Sequence, residues 1–560
     1  MEQLRIGIVG AAGRGSSFVQ AINASGDAVL AAVCDARADV LQKTRETLGA
    51  QQAYTDYDEM IDRADLHAVV VATPMPLHVP QSMRALAAGL HVLSEVPAGV
   101  SIDECRLLTI ATRHSRGIYM MAENYTYMRP NAVVREMVAR GVFGDTYFAE
   151  AEYIHEIRKY ATTTPWRRHW QLGLPGNTYC THSLGPVLQW MPGQRVTQVA
   201  CAGSGRRHLD AGGIALEGEN NLTICRTDRG GLIKLRLDLF SDRPHAVTNY
   251  QLQGTDGCYE SARAPGEVDR VWLRSRATGD GDRAWTPLAD LADEFLPDEW
   301  RRAGEANAMG GHGGGHGGGD SLEVIDFLAA CRGTRKPTIG IDQAMDMTLP
   351  GLASQASSSS GGAWVDVPDS REWTADYVYR DGQLQMVFPE RSNTPAVELP
   401  GGYALRPFRV DDGDADAADD TDACAALMSA AGFGGWSPAR VLATYRAALE
   451  GGHLVVEHLA TRTLVATALA NHAPSDLHPH GGELGWVAAH PDHAGRGLGR
   501  AVCAAIVVLL RARGYRRIYL KTDDHRLPAI ATYLRLGFDP LMYKSDMPAR
   551  WDAVHVALKR

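Results

Sequence analysis

Short apolar runs alternate with helical patterns along the first 125 residues. Each run ends at a glycine, a proline or a polar turn, and apolar residues at helical spacing follow it. This βα rhythm predicts a doubly wound, parallel Rossmann sheet over residues 1–125, with a ligand crevice along the carboxyl ends of its strands. The predicted strands are Arg5–Val9, Val29–Cys34, Ala68–Ala72, His91–Ser94 and Ile118–Met121.

From residue 126 the pattern changes to a helix followed by longer strands of alternating or β-branched composition. The predicted elements are helix Asn131–Arg140, strands Phe148–Ile154, Gly231–Phe240 and Val247–Gly254, helix Leu322–Cys331 and strand Val365–Pro368. They predict an α+β substrate domain with an open β-sheet over residues 126–370, packed beside the first domain.

A polar stretch with three prolines predicts a linker over residues 371–400. Strand Tyr403–Arg409 then starts a third pattern, and strand Glu483–Ala488, a glycine-rich turn, an apolar helix and strand Ile518–Lys521 follow near the end. This order predicts a separate α/β domain over residues 401–560. The whole chain is therefore assigned to the α/β class.

Composition narrows the class of protein. The chain has 560 residues, of which 45% are hydrophobic and 22% charged, and its net charge is −10. It is too long for one core, and its modest negative charge argues against nucleic acid as the main partner. No apolar run approaches the roughly 18 residues that span a bilayer, no apolar leader precedes the first strand, and the nine cysteines include no CxxC pair. We expect a cytoplasmic multidomain protein with neither a membrane nor a nucleic-acid partner.

The first strand is followed by a glycine-rich turn that opens onto a helical stretch. The turn contains Gly10, Ala12, Gly13, Arg14 and Gly15, with Ala12 where the usual fingerprint has a glycine. Glycines let the backbone approach a pyrophosphate, whose charge a helix N-terminus stabilises. Asp35, at the end of the second strand, can bind ribose hydroxyls and repel a 2′-phosphate, so the sequence favours NAD, although Arg37 leaves NADP open.

The turns that end the later strands are expected to line the crevice and to contact the cofactor. Their candidate residues are Thr73, Pro74, His78, Glu95 and Asn124. The phrases TP…LH and EVP in these turns, together with the first glycines, resemble the Gfo/Idh/MocA oxidoreductase family. That family usually carries a catalytic Lys between the Glu and the Pro of the second phrase. Val96 stands there and cannot transfer a proton, so a simple alcohol dehydrogenase is disfavoured.

Further motifs resemble one branch, the NAD-dependent α-N-acetylgalactosaminidases of glycoside hydrolase family 109. They are EVPA, YIHEIR at Tyr153–Arg158, Trp166-Arg167, GNTYCTHSLGP at Gly176–Pro186, SDRPH at Ser241–His245, QGTDG at Gln253–Gly257 and GGHGGGHGGGD at Gly310–Asp320. The resemblance implies a redox-neutral hydrolysis. NAD⁺ accepts a hydride from C3 of the sugar, the resulting ketone acidifies C2, the group at C1 is eliminated, and water and the hydride are then added.

Tyr179 and His182 are the candidate proton-transfer pair of this reaction. They are three positions apart, so on a helix they would share one face, and flanking glycines with Pro186 leave room for about two turns. Simple packing of a Tyr and a His is the alternative. Under the resemblance, we expect His182 to handle the C3 hydroxyl proton and Tyr179 to work at C2, or the reverse, and His155 to lie near the leaving oxygen. The residues expected to contact the substrate are Tyr125, Arg158, Trp166, Asn177 and His316.

The glycine-rich segment Gly310–Asp320 carries two histidines and an aspartate at four-residue spacing. On a helix this spacing could bind a metal ion, but glycines disfavour a helix, so no metal is predicted. We interpret the segment as an active-site loop in which His316 and Asp320 contact the sugar. A plain linker is the alternative.

The phrase HPDHAGRGLGR at His490–Arg500 follows a strand and opens onto a helix. Its successive backbone N–H groups can cradle a pyrophosphate. Together with PAIATYLRLGF at Pro528–Phe538, the phrase resembles the GNAT acetyltransferases, although Ala494 and His525 depart from the family pattern. The resemblance implies acetyl-CoA as cofactor. The expected site residues are Arg496, Gly497 and Gly499 in the acetyl-CoA loop, Tyr533 as the acid for the CoA thiolate and Glu483 as a base acting through water.

The sequence therefore predicts a bifunctional enzyme, an NAD-dependent glycosidase fused to an N-acetyltransferase. Its expected partners are a small glycoside, acetyl-CoA, an amine acceptor and further copies of the chain in a homo-oligomer. A sugar dehydrogenase fused to an acetyltransferase is the first alternative. A non-catalytic sugar-sensing regulator is the second.

Overall fold

The computed structural model describes residues 2–205, 207–209, 216, 219–244, 246–279, 283–298, 300–301, 318–374, 382–389, 392–410, 419–474, 477–478, 481–542 and 547–558. The chain forms two compact units, Met1–Ala375 and Asp376–Arg560. None of the helices within these ranges is both long and apolar enough to cross a membrane.

The first unit begins with a six-stranded parallel sheet, which confirms the predicted Rossmann fold. Its strand order is β3-β2-β1-β4-β5-β6, and β4 is wholly buried because its residues are all apolar. The strands are β1 Leu4–Val9, β2 Ala28–Cys34, β3 Gln52–Tyr54, β4 Ala68–Val71, β5 His91–Glu95 and β6 Tyr119–Ala122. The helices between them are α1 Val19–Ala24, α2 Ala38–Leu48, α3 Tyr57–Arg63, α4 His78–Ala87 and α5 Ile102–His114.

The same unit continues with a nine-stranded, mainly antiparallel open sheet. Its order is β14-β13-β12-β11-β7-β10-β9-β8-β15, in which β7 and β10 are parallel. The strands are β7 Thr146–Ile154, β8 Val196–Gly203, β9 Asn221–Thr227, β10 Leu232–Asp238, β11 Thr248–Gly254, β12 Gly257–Glu260, β13 Arg270–Leu273, β14 Thr286–Pro287 and β15 Val365–Asp366. The helices of this part are α6 Arg129–Ala139, α7 Tyr160–Thr163, α8 Pro165–Trp170, α9 Thr181–Trp190, α10 Ala289–Phe295, α11 Gly319–Cys331 and α12 Ile341–Ser359.

The second unit contains a seven-stranded sheet of order β17-β18-β19-β20-β21-β16-β22. Its strands are β16 Leu384–Phe388, β17 Tyr403–Pro407, β18 His453–His458, β19 Thr463–His472, β20 Gly482–Ala489, β21 Ile518–Thr522 and β22 Asp539–Pro540. Its helices are α13 Thr421–Ala430, α14 Pro438–Ala447, α15 Leu498–Ala512, α16 Leu527–Leu536 and α17 Met547–Leu558. The predicted linker over residues 371–400 is therefore wrong in part, because β16 lies within it and pairs with β21 and β22.

Candidate active site

The glycine-rich turn after β1 has the shape that a dinucleotide requires. Gly10 has a φ of +80°, and a Cβ there would lie 2.3 Å from the Ala72 carbonyl oxygen. A Cβ at Gly15 would lie 2.6 Å from Ile8 Cγ2, so this glycine permits close packing on β1. At Gly13 the nearest atom would be 3.8 Å away. The turn is closed towards the sheet and open on the side where a pyrophosphate would approach the backbone.

Asp35 ends β2 beside this turn as an ionised carboxylate. The Ala12 backbone N donates to its Oδ2 (2.9 Å), and Arg37 donates to Oδ1 through its backbone N and Nε, both at 3.1 Å. Burial raises the pKa of Asp35, but the hydrogen bonds from Arg37 and Ala12 outweigh this effect, so the pKa lies below its usual value. Arg37, the residue for which NADP remained an alternative in the sequence analysis, is bound to this charged carboxylate. This arrangement favours NAD.

Arg14 and Asn124, both predicted to contact the cofactor, bind other residues of the protein. Arg14 Nε donates to Glu95 Oε1 (2.5 Å), and its Nη atoms donate to the two oxygens of Asp320 at 2.8 and 3.1 Å. Asn124 Nδ2 donates to the same Asp320 carboxylate at 2.8 Å. Asp320 is fully buried, so it stabilises this network and does not contact sugar as predicted. These side chains shape the turn instead of presenting free polar groups.

The predicted cofactor ligand His78 is instead a positioning residue. It is 1% exposed, and its Nδ1 and Nε2 lie 2.9 Å from the carbonyl oxygens of Pro97 and Thr73. Burial lowers its pKa, so the neutral ring has one N–H, which donates to one of these carbonyl oxygens, and the other nitrogen packs against the second. His78 thus ties together the turns that follow β4 and β5. Thr73 Oγ1 donates to Gln81 Oε1 (2.6 Å), and Pro74 precedes a short 3₁₀ turn.

A buried carboxylate holds the imidazole of His182. Glu123 follows β6, and its Oε1 lies 2.8 Å from His182 Nδ1. Its Oε2 accepts hydrogen bonds from the backbone N (2.8 Å) and Oγ1 (2.5 Å) of Thr126. Gly185 allows this approach, because a Cβ there would lie 2.6 Å from Glu123 Oε2. With Nδ1 held, Nε2 is the nitrogen left to exchange a proton with a ligand. Sequence reasoning missed this role of Glu123, although its place at the carboxyl end of a strand was a signal.

The predicted short helix carrying both Tyr179 and His182 is wrong in its limits. The helix α9 begins at Thr181, so Tyr179 lies in the turn before it and the two side chains share no helical face. It also continues through Pro186. Because proline lacks an N–H, the His182 carbonyl one turn back loses its helical partner. The buried Tyr250 hydroxyl donates to that carbonyl at 2.6 Å, and this bond permits the longer helix.

Four aromatic side chains nevertheless converge. The His182 ring centroid lies 4.3 Å from that of Tyr125, 5.1 Å from Tyr153 and 5.3 Å from Tyr179. The rings of Tyr153 and Tyr179 are 6.0 Å apart. The structure therefore brings Tyr125, Tyr179 and His182 together, and it adds Tyr153, which the sequence analysis noted only within a motif.

The environment of Tyr179 changes the pKa of its phenol. Burial raises the pKa of its phenol to about 12, while Arg167 and Arg14 lower it and Glu95 raises it. The link between this site and the glycine-rich turn is Asn124, which follows Glu123 and donates to the Asp320 carboxylate that Arg14 also binds. At neutral pH the phenol is protonated, and this shift is opposite to the one that a phenol base requires.

His155 directly follows β7 and lies beside Tyr153, one of the four converging aromatic side chains. Its Nδ1 is 2.8 Å from the Tyr153 hydroxyl, and burial, His182 and Arg167 lower its pKa, so the imidazole is neutral at neutral pH. Its ring is 5.6 Å from that of Tyr153. The predicted place near the substrate is compatible with this contact.

The remaining predicted substrate residues fall in different environments. Trp166 is half-buried under the Arg167 guanidinium, whose carbon lies 4.5 Å from the Trp166 ring. Arg158 Nε is bound to Glu156 Oε1 at 2.7 Å. His316 lies outside the described residues, so its predicted sugar contact stays a prediction.

Asn177 is not accessible to substrate, contrary to prediction. It is 1% exposed, its backbone N donates to Ser354 Oγ at 2.7 Å, and its Nδ2 points to the Leu235 carbonyl at 3.5 Å. It packs between β10 and α12. Its role is to anchor the turn that carries Tyr179.

The second unit has its own open glycine turn. Gly495 and Gly497 have φ of +75° and +78°, and α15 begins directly after Gly497. A Cβ at Gly495, Gly497 or Gly499 would meet no atom within 4 Å, so the turn fits a pyrophosphate such as that of acetyl-CoA. Arg496 Nη1 donates to the Tyr403 hydroxyl at 2.9 Å.

Glu483 lies where two parallel strands separate. Among the described residues, β20 pairs with β21 at Gly482 and Glu483, and no described strand pairs with the rest of β20 on that side. This separation leaves room for an extended ligand. Tyr533, the predicted acid, is 6% exposed on α16, and burial raises the pKa of its phenol, as suits a proton donor.

Three family models match successive parts of the chain. Residues 4–123 match the oxidoreductase family with NAD-binding Rossmann fold, residues 127–374 match the glycosyl hydrolase 109 C-terminal domain, and residues 422–538 match the acetyltransferase (GNAT) family. The matches confirm the predicted family resemblances and the predicted cofactors, NAD and acetyl-CoA.

Individual proteins agree with these matches. A glycosyl hydrolase family 109 protein of Saccharopolyspora erythraea is 29% identical over 398 residues, which are 66% of this chain and 83% of that protein. An alpha-N-acetylgalactosaminidase of Shewanella oneidensis is 30% identical over 346 residues, which are 56% of this chain and 74% of that protein.

Among solved structures, levoglucosan dehydrogenase in complex with NADH and L-sorbose superposes with a TM-score of 0.55 at 19% identity. The match covers 66% of this chain and 100% of that chain, and it shows the fold alone. The sequence matches decide the family: the chain belongs to glycosyl hydrolase family 109 and carries an acetyltransferase (GNAT) domain in its second compact unit.

Proposed function

We propose that the first unit hydrolyses an α-linked N-acetylgalactosaminide by transient oxidation at C3, and that the second unit transfers an acetyl group from acetyl-CoA to an amine. The first part of the proposal rests on the Glu123–His182 pair, which lies beside Tyr179 and Tyr153. The sugar is proposed from the name of the Shewanella oneidensis relative. The open turn at Gly495–Gly499 supports the second part.

The proposed steps use the side chains of His182, Tyr179 and His155. When bound at the turn after β1, NAD⁺ would supply the redox chemistry by accepting a hydride from C3 and returning it later. His182 Nε2 takes the proton of the C3 hydroxyl, and the Glu123 carboxylate stabilises the resulting imidazolium. Loss of the C2 proton then expels the C1 group, and water adds to the enone. His155, a neutral imidazole, is placed near the leaving oxygen.

Tyr179 is the proposed base at C2. Because burial raises its pKa to about 12, little phenolate exists at neutral pH. The phenolate fraction rises about tenfold per pH unit below the pKa, so we expect removal of the C2 proton to be slow and to quicken steadily above pH 7. A plateau just above neutrality would assign this step to an imidazole instead.

The experiment is hydrolysis of nitrophenyl α-N-acetylgalactosaminide in D₂O, with and without added NAD⁺. We expect product with deuterium at C2, no net NADH, and loss of activity in His182→Asn but not in His114→Asn, an exposed histidine of α5. Turnover without deuterium at C2 would contradict the elimination. Stoichiometric accumulation of NADH would favour the sugar dehydrogenase, and a fully inactive protein that still binds sugar would favour the regulator.

A further inference from the structure

The second unit carries a group of aromatic and arginine side chains at its surface, here called the aromatic–arginine cluster. It consists of Phe433, Trp436, Arg440, Trp486 and Arg526. The Trp436 and Trp486 rings lie 4.9 Å apart, nearly perpendicular, and the Phe433 ring lies 6.2 Å from Trp486. The guanidinium carbon of Arg440 lies 4.7 Å from Trp436 and 5.4 Å from Trp486, and that of Arg526 lies 4.2 Å from Phe433.

Core packing does not account for Trp486. Phe433 and Trp436 pack against the buried core beneath α13 and α14, whereas Trp486 is outside that core and 39% exposed. Its φ of +47° is in the left-handed region, which a bulky side chain rarely adopts. The pairing of β19 with β20 shifts register at this point. The surrounding structure must hold costly backbone conformations of this kind in place, and they cluster at active sites and ligand-binding sites.

The charges in the cluster indicate which charge its ligand carries. Arg526 Nε is bound to Asp523 Oδ2 at 3.2 Å. Arg440 is exposed and donates to the Gly435 carbonyl at 3.2 Å, and no carboxylate of the described residues lies within 4 Å of its guanidinium. The cluster therefore presents flat aromatic faces beside one positive charge that no acidic side chain of the described residues neutralises.

We propose that the aromatic–arginine cluster binds the acetyl acceptor, and that the acceptor is an amine with an anionic group and a flat apolar face. This inference rests on the proposed acetyl transfer. Trp486 lies three residues beyond Glu483 on β20, at the place where β20 separates from β21. The acceptor nitrogen attacks the thioester carbonyl, a C–N bond forms, the C–S bond breaks, and the proton released by the amine ends on the CoA sulfur. Arg440 binds the anionic group, and the indole rings bind the apolar face.

Matched pairs of amines, assayed with the full-length protein, test whether the acceptor must carry an anionic group. One pair is glucosamine 6-phosphate and glucosamine, and the other is L-phenylalanine and phenethylamine. We expect the member that carries the phosphate or carboxylate group, in at least one pair, to be acetylated with a kcat/KM about tenfold or more above the partner that lacks this group. The pair that responds identifies a sugar or an aromatic acceptor. Equal use of both members in both pairs would overturn the proposal.

Arginine variants locate the charge. Arg440→Gln should abolish the preference by raising the KM of the anionic amine, whereas Arg446→Gln, at an exposed position of the same helix, should leave it unchanged. Identical behaviour of the two variants would overturn the proposal. Trp486→Ala should weaken both members of the responding pair.

Direct binding measurements test the proposed acceptor site independently of the proposed acetyl transfer. Calorimetric titration with glucosamine 6-phosphate and with L-phenylalanine needs no acetyl-CoA. If no amine is acetylated but an anionic amine binds, and Arg440→Gln removes this binding, the transferase activity fails and the site stands. If neither amine binds and neither is acetylated, the site itself is refuted, whatever the affinity for acetyl-CoA.

Discussion

A single buried carboxylate determines how His182 is presented. Glu123 accepts from the imidazole Nδ1, and its other oxygen is held by Thr126. In Glu123→Gln the imidazolium that forms during proton transfer loses its negative partner. We expect kcat to fall about 100-fold, within the range for positioned acid–base groups, with little change in KM or NAD affinity.

Thr126→Val is the matched control for this carboxylate. It removes the hydroxyl bonded to the oxygen that does not contact His182, so its effect on kcat should be much smaller. Steady-state kinetics and NAD titration of both variants measure the difference. Equal losses in the two variants would mean that Glu123 only stabilises the fold.

Glu323 is a second buried carboxyl group, and its environment is less polar than that of Glu123. It is fully buried on α11, its nearest cation is Arg14 at 4.0 Å, and neither oxygen has a hydrogen-bond partner in the described part of the chain. Burial and the nearby Asp320 raise its pKa well above the usual value, so the folded protein keeps it protonated.

This raised pKa predicts a pH-dependent stability. Above the ordinary carboxyl pKa of about 4.3, the folded state binds a proton that the unfolded state has released, so the free energy of unfolding falls as pH rises until the raised pKa is passed. Glu323→Gln needs no proton. Its thermal midpoint should exceed that of the unmodified protein at pH 7, and the gap should close towards pH 4. Glu372→Gln, at an exposed position, should show no such trend.

At the scale of elements, α9 persists through a proline because a distant tyrosine replaces the lost partner. The Tyr250 hydroxyl donates to the His182 carbonyl across 68 positions of sequence. Tyr250→Phe leaves that buried carbonyl unpaired, and we expect a loss of about 1–3 kcal/mol in the free energy of unfolding. In Pro186→Ala the backbone N–H can form the helical bond, so Tyr250→Phe should cost less in that background.

Tyr259→Phe is the control for this double-mutant cycle. Tyr250 and Tyr259 both pack edge-on against Trp190, with centroid distances of 5.5 and 5.6 Å, but the buried Tyr259 hydroxyl has no hydrogen-bond partner in the described ranges. Its removal should be neutral or stabilising. Additive effects of Tyr250→Phe and Pro186→Ala would show that the two groups do not compensate each other.

Local sequence patterns located most elements but not their exceptions. Five of the six parallel strands of the first sheet were predicted within one residue, because strands buried on both faces read as apolar runs. The short strand β3 has no such run and was not predicted. The limits of α9 were wrong because proline normally ends a helix, and Tyr250 is not visible in the local pattern. Tyr179 and His182 could be predicted through their shared motif, whereas the bond between Glu123 and His182 needed the fold.

At the scale of the whole molecule, long-range contacts decided what the sequence could not. Arg14 and Asp320 are 306 positions apart, so the pairing that withdraws both from their predicted roles has no local signal. β16 stands in a stretch that reads as a linker because polar residues and prolines surround it. Its partners β21 and β22 follow more than a hundred residues later.

The two compact units predict two separable activities in one chain. His182→Asn should abolish glycoside hydrolysis and leave acetyl transfer unchanged, because the contacts described for His182 come from residues of the first unit. Gly497→Ala should weaken acetyl transfer and leave glycoside hydrolysis unchanged. Its methyl group would meet no protein atom within 4 Å, so it projects into the open turn where a pyrophosphate would bind.

Gly514→Ala separates this contact from backbone strain. Gly497 and Gly514 flank α15 with φ of +78° and +85°, and both have open space at the Cβ position, so both substitutions should destabilise the second unit by about 1–2 kcal/mol. Only Gly497→Ala should raise the KM for acetyl-CoA, by about tenfold, since only Gly497 lies in the turn. Both variants should hydrolyse glycosides at the unmodified rate. Equal changes in the acetyl-CoA KM would mean that strain, not ligand contact, limits the transferase, and a lost glycosidase activity in either variant would show that the two units act as one.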